Sequence, residues 1–223
     1  MRNLVKDHLG RMPVNASREH LRAFAAEAAA VGKDPSFRVL DAGAGKLPYK
    51  SLFAHVSYEA ADVVAEPGLD YVCDIAKMPV PDDTYDLVFC SQTLEHVPNP
   101  VAVLREFHRI LKPGGQAWLS APLFYPEHVQ PYDYFRYTRF AWRKMARRAG
   151  FTVADISWLE GYFGTLSYQL EMAYKALPAD MKVWRYTLLH LSRKLAKREL
   201  TERYLPRKGM PKNYKVKLVK PAA

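Results

Sequence analysis

The chain has 223 residues, about half of them apolar, which is enough to bury a core and form one domain with an elaboration. Its net charge of +10 comes from Arg136 onward, the first 135 residues being close to neutral; such a basic half suits a phosphorylated substrate, an anionic lipid surface or nucleic acid. No run of about 18 apolar residues offers a membrane-spanning helix. Met1 to Asp7 lacks the apolar core of a signal peptide, which predicts a cytoplasmic protein. Cys73 and Cys90, with no CxxC spacing and no run of histidines, suggest neither a disulfide scaffold nor a zinc site.

In chain order, Ser17 to Val31 reads as a helix, with Ser17 as N-cap, Leu21, Phe24, Ala25 and Ala28 on one face and Gly32 as the stop. Phe37 to Asp41 is an apolar strand that runs into Gly43-Ala44-Gly45, and Lys46 to Phe53 is predicted to begin the next helix, irregular at Pro48. Tyr58 to Val63 and Leu69 to Asp74 are further strands, and Tyr85 to Cys90 is a fourth. Pro100 to Leu111 is amphipathic through Val101, Leu104, Phe107, His108 and Leu111. Lys112-Pro113-Gly114-Gly115 is read as the turn into a fifth strand, Gln116 to Ser120.

A proline- and aromatic-rich loop follows, Pro122 to Tyr137, then a basic helix capped by Gly150 and a sixth strand, Phe151 to Trp158. Gly164 to Ala176 and Met181 to Tyr204 read as two more helices, and Tyr214 to Val219 alternates at period two like a last strand. The division expected is a cofactor-binding core at 17–160, a helical insertion at 162–206 and the closing strand at 212–220, all in one domain. Alternating helix and strand predicts an α/β fold: a Rossmann-like, seven-stranded, mostly parallel sheet with helices on both faces. Ligands of such sheets bind beyond the carboxyl ends of the strands. Asp41, Gly43, Asp62, Asp74, Ser91 and Pro122 all fall there.

Three motifs in this order carry a family resemblance. They are Val39-Leu40-Asp41-Ala42-Gly43-Ala44-Gly45, then Asp86-Leu87-Val88-Phe89-Cys90 with Leu94-Glu95-His96-Val97, then Arg109-Ile110-Leu111-Lys112-Pro113-Gly114-Gly115. Between Arg38 and Phe151 the chain resembles a class I S-adenosylmethionine-dependent methyltransferase of the small-molecule type, similar to the type 11 group. That resemblance implies S-adenosylmethionine as cofactor and a last strand running antiparallel. The amides of the Gly43–Gly45 turn would face the cofactor carboxylate. Asp41 would hold the turn and meet the ammonium group, and Asp62 would grip the ribose hydroxyls. Asp74 with Ile75 would contact the adenine, and Ser91 and Gln92 would close the pocket after the fourth strand. No third glycine follows at Lys46-Leu47-Pro48-Tyr49, which weighs against a nicotinamide dinucleotide.

For the transfer itself, Tyr125-Pro126-Glu127-His128 and Pro131-Tyr132-Asp133-Tyr134-Phe135-Arg136-Tyr137-Thr138 resemble a signature of bacterial methyltransferases of glycan-related pathways. His128 is the first choice for general base, since imidazole titrates near neutral pH, with Asp133 orienting it or binding substrate. Tyr132, Tyr134 and Arg136 would line the acceptor pocket. Glu95-His96 is a rival for the base, His55 and His108 are packing residues, and Cys90 is read as core because Phe89 rather than proline precedes it. Nothing in the sequence requires a metal.

Met181, Trp184, Leu188, Leu191 and Leu195 fall at helical spacing amid Lys182, Arg185, Arg193, Lys194, Lys197 and Arg198. This segment, 181–204, is read as an apolar face docked on the protein or as a surface for an anionic membrane, and with the loop after strand five it is expected to wall the acceptor site. Three functions stand side by side. One is O-methylation of a sugar, glycan or related small metabolite. Another is methylation of RNA or protein through the basic half, set back by the lack of an Asn/Asp-Pro-Pro-Tyr motif or a nucleic-acid-binding module. The third is a non-catalytic cofactor-binding scaffold.

Overall fold

The structure, a computed structural model, describes residues 16–202, 204–205 and 209–222. The reading of Met1 to Asp7 lies outside them. The described residues form two compact units: 21–159 with 212–222, and 16–20 with 160–202, 204–205 and 209–211.

The larger unit holds one seven-stranded sheet: β1 (Arg38–Ala42), β2 (Ser57–Asp62), β3 (Tyr71–Val72), β4 (Tyr85–Ser91), β5 (Leu111–Pro122), β6 (Thr152–Trp158) and β7 (Asn213–Val219). Their order is β3-β2-β1-β4-β5-β7-β6. Pairing is parallel from β3 through β5, and β7 runs antiparallel between β5 and β6, with Gln116 opposite Val219 and Pro122 opposite Asn213. The chain direction therefore changes where the sequence placed its last strand.

Side chains alternate between the two faces of the sheet, and both faces are covered. Leu40, Val88, Cys90, Ala117 and Leu119 pack with Val103, Leu104, Phe107 and Ile110 of α2 (Pro100–Ile110) and with Trp142, Met145 and Ala146 of α3 (Arg139–Arg148). Val39, Leu87, Phe89 and Trp118 face the other way, onto Phe53 and onto Phe24, Ala25 and Ala28 of α1 (Ala16–Ala29). Cys90 is fully buried, which pushes its thiol well above the usual range. Helix starts follow the capping chemistry: Asn99 accepts from the Ala102 amide with Pro100 in the first turn, and Thr138 accepts from Ala141.

Three elements depart from the sequence reading. The helix expected over Lys46 to Phe53 is only a 3-10 turn, Lys50–Phe53. Leu47 takes a left-handed φ of 58° and Pro48 lacks an amide donor, so no α-helical ladder starts there. The third strand shortens to Tyr71–Val72. β5 begins at Leu111, and its Lys112–Gly115 stretch is a bulge within the strand, where Gly114 (φ 80°) donates its amide to the Lys220 carbonyl at 3.0 Å.

The smaller unit is an antiparallel pair, α4 (Tyr162–Ala176) and α5 (Lys182–Thr201). Its seam is polar. The Ser167 and Ser192 hydroxyls each donate to the other's carbonyl at 2.8 Å, and the buried Glu199 carboxylate accepts from the Gly161 and Gly164 amides at the start of α4. A side-chain atom at either glycine would meet Glu199 within 3.2 Å. His20 reaches the same carboxylate at 3.2 Å, and these partners hold it below the usual range despite its burial. The inward face of α5 is thus Leu189, Ser192, Ala196 and Glu199. The sequence reading of its apolar face is corrected: Met181, Trp184 and Leu191 are exposed, Leu188 and Leu195 are half-buried, and the helix stops at Thr201. Paired serines and a capped glutamate hold the interior instead of an apolar stripe.

Candidate active site

Strand order reverses between β1 and β4, and the crevice beyond their carboxyl ends is where such sheets bind ligands. At its floor the chain leaves β1 through Gly43 (φ 76°) and Gly45 (φ 49°). The two glycines do different work. A Cβ on Gly43 would lie 2.3 Å from Thr93, whereas one on Gly45 would meet nothing within 4 Å. Gly43 admits a packed neighbour; Gly45 opens onto free space.

The amides here were expected to face a cofactor carboxylate. They close the turn instead: Gly43 and Ala44 donate to the Ala61 carbonyl at 2.8 and 3.0 Å, and Gly45 donates to Asp62 Oδ2 at 2.9 Å. With no helix following, there is no dipole to add.

Asp62 also accepts from the Val64 amide through Oδ1 at 2.9 Å, so one carboxylate ties the ends of two neighbouring strands. A carboxylate has about four lone-pair sites, and those left over suit a pair of hydroxyls. Glu59 points to the opposite face, onto Arg38, Tyr71 and Tyr85. Asp41 lies under the turn, 2% exposed, accepting from the Tyr58 hydroxyl at 2.8 Å. Burial pushes its carboxyl up to about 7, against the pull of the Tyr58 hydrogen bond, with the nearby Asp62 charge adding to the rise. A cation entering the crevice would relieve that burden.

Asp74 is exposed and turns the chain by accepting from the Ala76 amide at 2.9 Å, while Ile75 is buried in the core. The Cys73 amide donates to the Asp62 carbonyl, which keeps this segment on the rim beside Asp62. Ser91 and Gln92 reach Ser120 on β5, the former through its hydroxyl at 2.9 Å and the latter through its amide at 2.8 Å. Tyr49 packs edge-on against Phe89, 5.7 Å between ring centres, with its hydroxyl toward Ser91. Thr93, which sequence reasoning missed, donates to the carbonyls of Gly43 and Ser91 and locks the two strand ends together.

The loop after β5 docks on a 3-10 turn, Leu94–His96, that follows β4. The Tyr134 amide donates to the Glu95 carbonyl at 2.8 Å, and the Tyr137 hydroxyl donates to that of Leu94 at 2.7 Å. His128 and Asp133 come together as predicted: Asp133 Oδ2 accepts from the His128 amide at 2.8 Å and lies 3.1 Å from Nδ1. Arg136 is corrected. All five of its donor hydrogens are engaged within the loop, on both Asp133 oxygens and on the carbonyls of Tyr125, Pro126 and Phe135. It is a staple, with no donor left for a substrate anion, and it holds the Asp133 carboxyl far below the usual range. Tyr132 and Tyr134 are exposed, as an acceptor wall would be. Glu95 is fully buried beneath this loop, and burial pushes its carboxyl up to about 8.

A family model described as a methyltransferase domain matches residues 15–119. The sheet around this domain has the fold of class I S-adenosylmethionine-dependent methyltransferases. A 1,6-didemethyltoxoflavin-N1-methyltransferase of Burkholderia thailandensis, solved with S-adenosylhomocysteine, superposes with a TM-score of 0.59 at 17% identity, covering 91% of this chain and 78% of that one. The cyclase SpnF superposes equally well, TM-score 0.59 at 17% identity over 91% of this chain and 80% of its own, so the methyltransferase fold also serves other chemistry. A ubiquinone biosynthesis O-methyltransferase of Pseudomonas paraeruginosa is 56% identical over 36 residues, which is 16% of this chain and 16% of that protein. The methyltransferase domain's own residues fit the cofactor: a nearly buried acid awaiting a cation, a glycine facing open space and a rim carboxylate with spare acceptors.

Proposed function

We propose that this chain methylates a hydroxyl group of a small metabolite, a sugar, glycan unit or related compound. When bound, S-adenosylmethionine supplies a methyl group on a positively charged sulfur. Asp41 offers the buried negative charge that favours such a cation, Asp62 accepts from its ribose hydroxyls, and Asp74 with Ile75 borders its base. Ser91 and Gln92 close the pocket from the β4 side.

One observation carries the acceptor side of the reading: the His128–Asp133 pair. With Nδ1–H turned to Asp133, Nε2 keeps its lone pair and can take the proton of an acceptor hydroxyl. Asp133, fixed by Arg136, is a positioning residue, and Tyr132 and Tyr134 supply aromatic faces suited to a ring-shaped acceptor. The relatives named as O-methyltransferases support a hydroxyl acceptor. The test is a labelled-methyl screen over nucleotide sugars, lipid-linked glycans, phenolic metabolites and tRNA. For the acceptor found, His128→Ala is expected to lower kcat by about 100-fold or more while S-adenosylmethionine affinity stays unchanged. Transfer to tRNA alone, or full turnover in the variant, would refute the assignment.

The exposed side of α5 favours a peripheral role at an anionic membrane. Val183, Trp184, Tyr186 and Leu191 are exposed there beside Lys182, Lys194, Lys197 and Arg198. No helix among the described residues is long and apolar enough to cross a bilayer, so the contact would be interfacial. Vesicles containing anionic lipid are expected to sediment the protein, and Trp184→Ser to weaken that several-fold. Equal sedimentation with neutral vesicles would end this reading.

A further inference from the structure

Beside the base, two histidines and an acid far apart in sequence converge. Glu95, His96 and His128 each present a ligating atom, and these atoms all lie within 4.8 Å of one another. His96 Nε2 is 3.9 Å from Glu95 Oε1, and the imidazoles of His96 and His128 meet edge to face, 4.6 Å between centres. Glu95 is fully buried, and apart from its own backbone amide its carboxylate has no hydrogen-bond partner among the described residues. A buried acid left so keeps its proton unless a cation joins it.

Both rings are oriented from behind. His96 Nδ1–H donates to the Tyr132 carbonyl at 2.7 Å, and His128 Nδ1–H donates to Asp133. This fixes the tautomer that leaves Nε2 bare on each ring, the arrangement by which metal-binding histidines are aimed. The only positive side chain bearing on the cluster from the loop, Arg136, is neutralised by Asp133.

The geometry points to a divalent-cation site formed by the Glu95 carboxylate, His96 Nε2 and His128 Nε2, suited to a first-row transition ion such as Zn2+ and open on the crevice side to an acceptor oxygen. Ligands at about 2.1 Å from one tetrahedral ion lie about 3.4 Å apart, so the side chains would draw together by up to about 1.4 Å to close on it. Two imidazoles disfavour Mg2+, which prefers oxygen. The sequence reading found no metal spacing because His96 and His128 meet only through the docking of the β5 loop on the Leu94–His96 turn. An ion here takes the lone pair on which the base role of His128 depends. In the loaded protein an acceptor oxygen would be activated by the cation rather than by imidazole.

The site stands independently of methyl transfer and is tested by binding alone. The full-length protein, stripped by chelator, is titrated with Zn2+ against a chromophoric chelator and with Co2+ by visible absorption. One equivalent is expected, with Zn2+ held below about 1 μM, and with Glu95→Gln and His96→Gln each weakening it by about 30-fold or more. Asp133→Asn, acting through His128, should weaken it about 10-fold. His108→Ala, whose ring packs against Phe151, should leave it unchanged. The absence of a saturable equivalent, or one indifferent to His96→Gln in a variant with the parent's thermal midpoint, would overturn the site. S-adenosylmethionine titration of the same samples separates such a failure from a failure of the transferase reading.

Discussion

Gly43→Ala is expected to yield a protein that either fails to accumulate or melts roughly 10 °C or more below the parent, and that binds no S-adenosylmethionine. Two penalties coincide. At φ 76° a side chain costs about 1–2 kcal/mol, and the new Cβ would lie 2.3 Å from Thr93. Thr93 cannot step aside freely, since its hydroxyl donates to Gly43 and Ser91. Overpacking of this kind adds about 1–3 kcal/mol, a large share of the total stability of about 5–15 kcal/mol typical of a domain. Thr93→Ala in the same chain should restore part of the midpoint by removing the two nearest atoms of the collision, though it leaves the position-93 Cβ at 2.8 Å and the backbone strain. Gly45→Ala is the contrasting experiment. With open space around its Cβ it escapes the collision but not the backbone strain of φ 49°, so it should lower the midpoint by that cost of about 1–2 kcal/mol alone, yet weaken S-adenosylmethionine by about 10-fold or more. Thermal scans and isothermal titration of the three variants check this; equal behaviour of Gly43→Ala and Gly45→Ala would contradict the division of labour.

Asp41 should make the ligand-free protein's stability depend on pH in an unusual direction. Its folded pKa of about 7 lies above the unfolded value near 3.9, so the folded state holds the extra proton. The contribution is whole below about pH 4 and is lost as pH rises through 7, a loss on the order of a few kcal/mol. Asp41→Asn cannot ionise and keeps the hydrogen bond from Tyr58. Its melting profile should be flatter over this range, and at pH 8 it should be the more stable protein. Cofactor binding should show the reverse. A cationic ligand favours ionised Asp41, so the parent should bind S-adenosylmethionine more tightly at pH 8 than at pH 5.5 and release a proton in the acidic range. The variant should bind about 10-fold or more weakly at pH 8 and lose that pH dependence. Parallel curves for the two proteins would show that Asp41 stays neutral with ligand present.

What could be read from the sequence was what local chemistry determines. An apolar run marked β4, period-two alternation marked β7, and the two glycines after Asp41 marked the turn. The pairing of His128 with Asp133 was within reach because the two are close in the chain. The misses are tertiary. Leu47 adopts a left-handed backbone that no propensity favours, which removed an expected helix. Arg136 looked like a substrate ligand because guanidinium suits anions, but the anion it meets is its own neighbour Asp133. α5 was misoriented since hydrophobicity cannot foresee that Ser192 and Glu199 would be buried by partners on α4.

The five-donor clamp of Arg136 separates the framework of the β5 loop from its tips. Its hydrogen bonds run to main-chain carbonyls and to Asp133, so the backbone path does not depend on Tyr132 or Tyr134. Those two rings can therefore be exchanged during evolution, or in a randomised library, without unravelling the segment that carries them. New acceptor preferences would be reachable by single steps at the rim, each nearly neutral for folding.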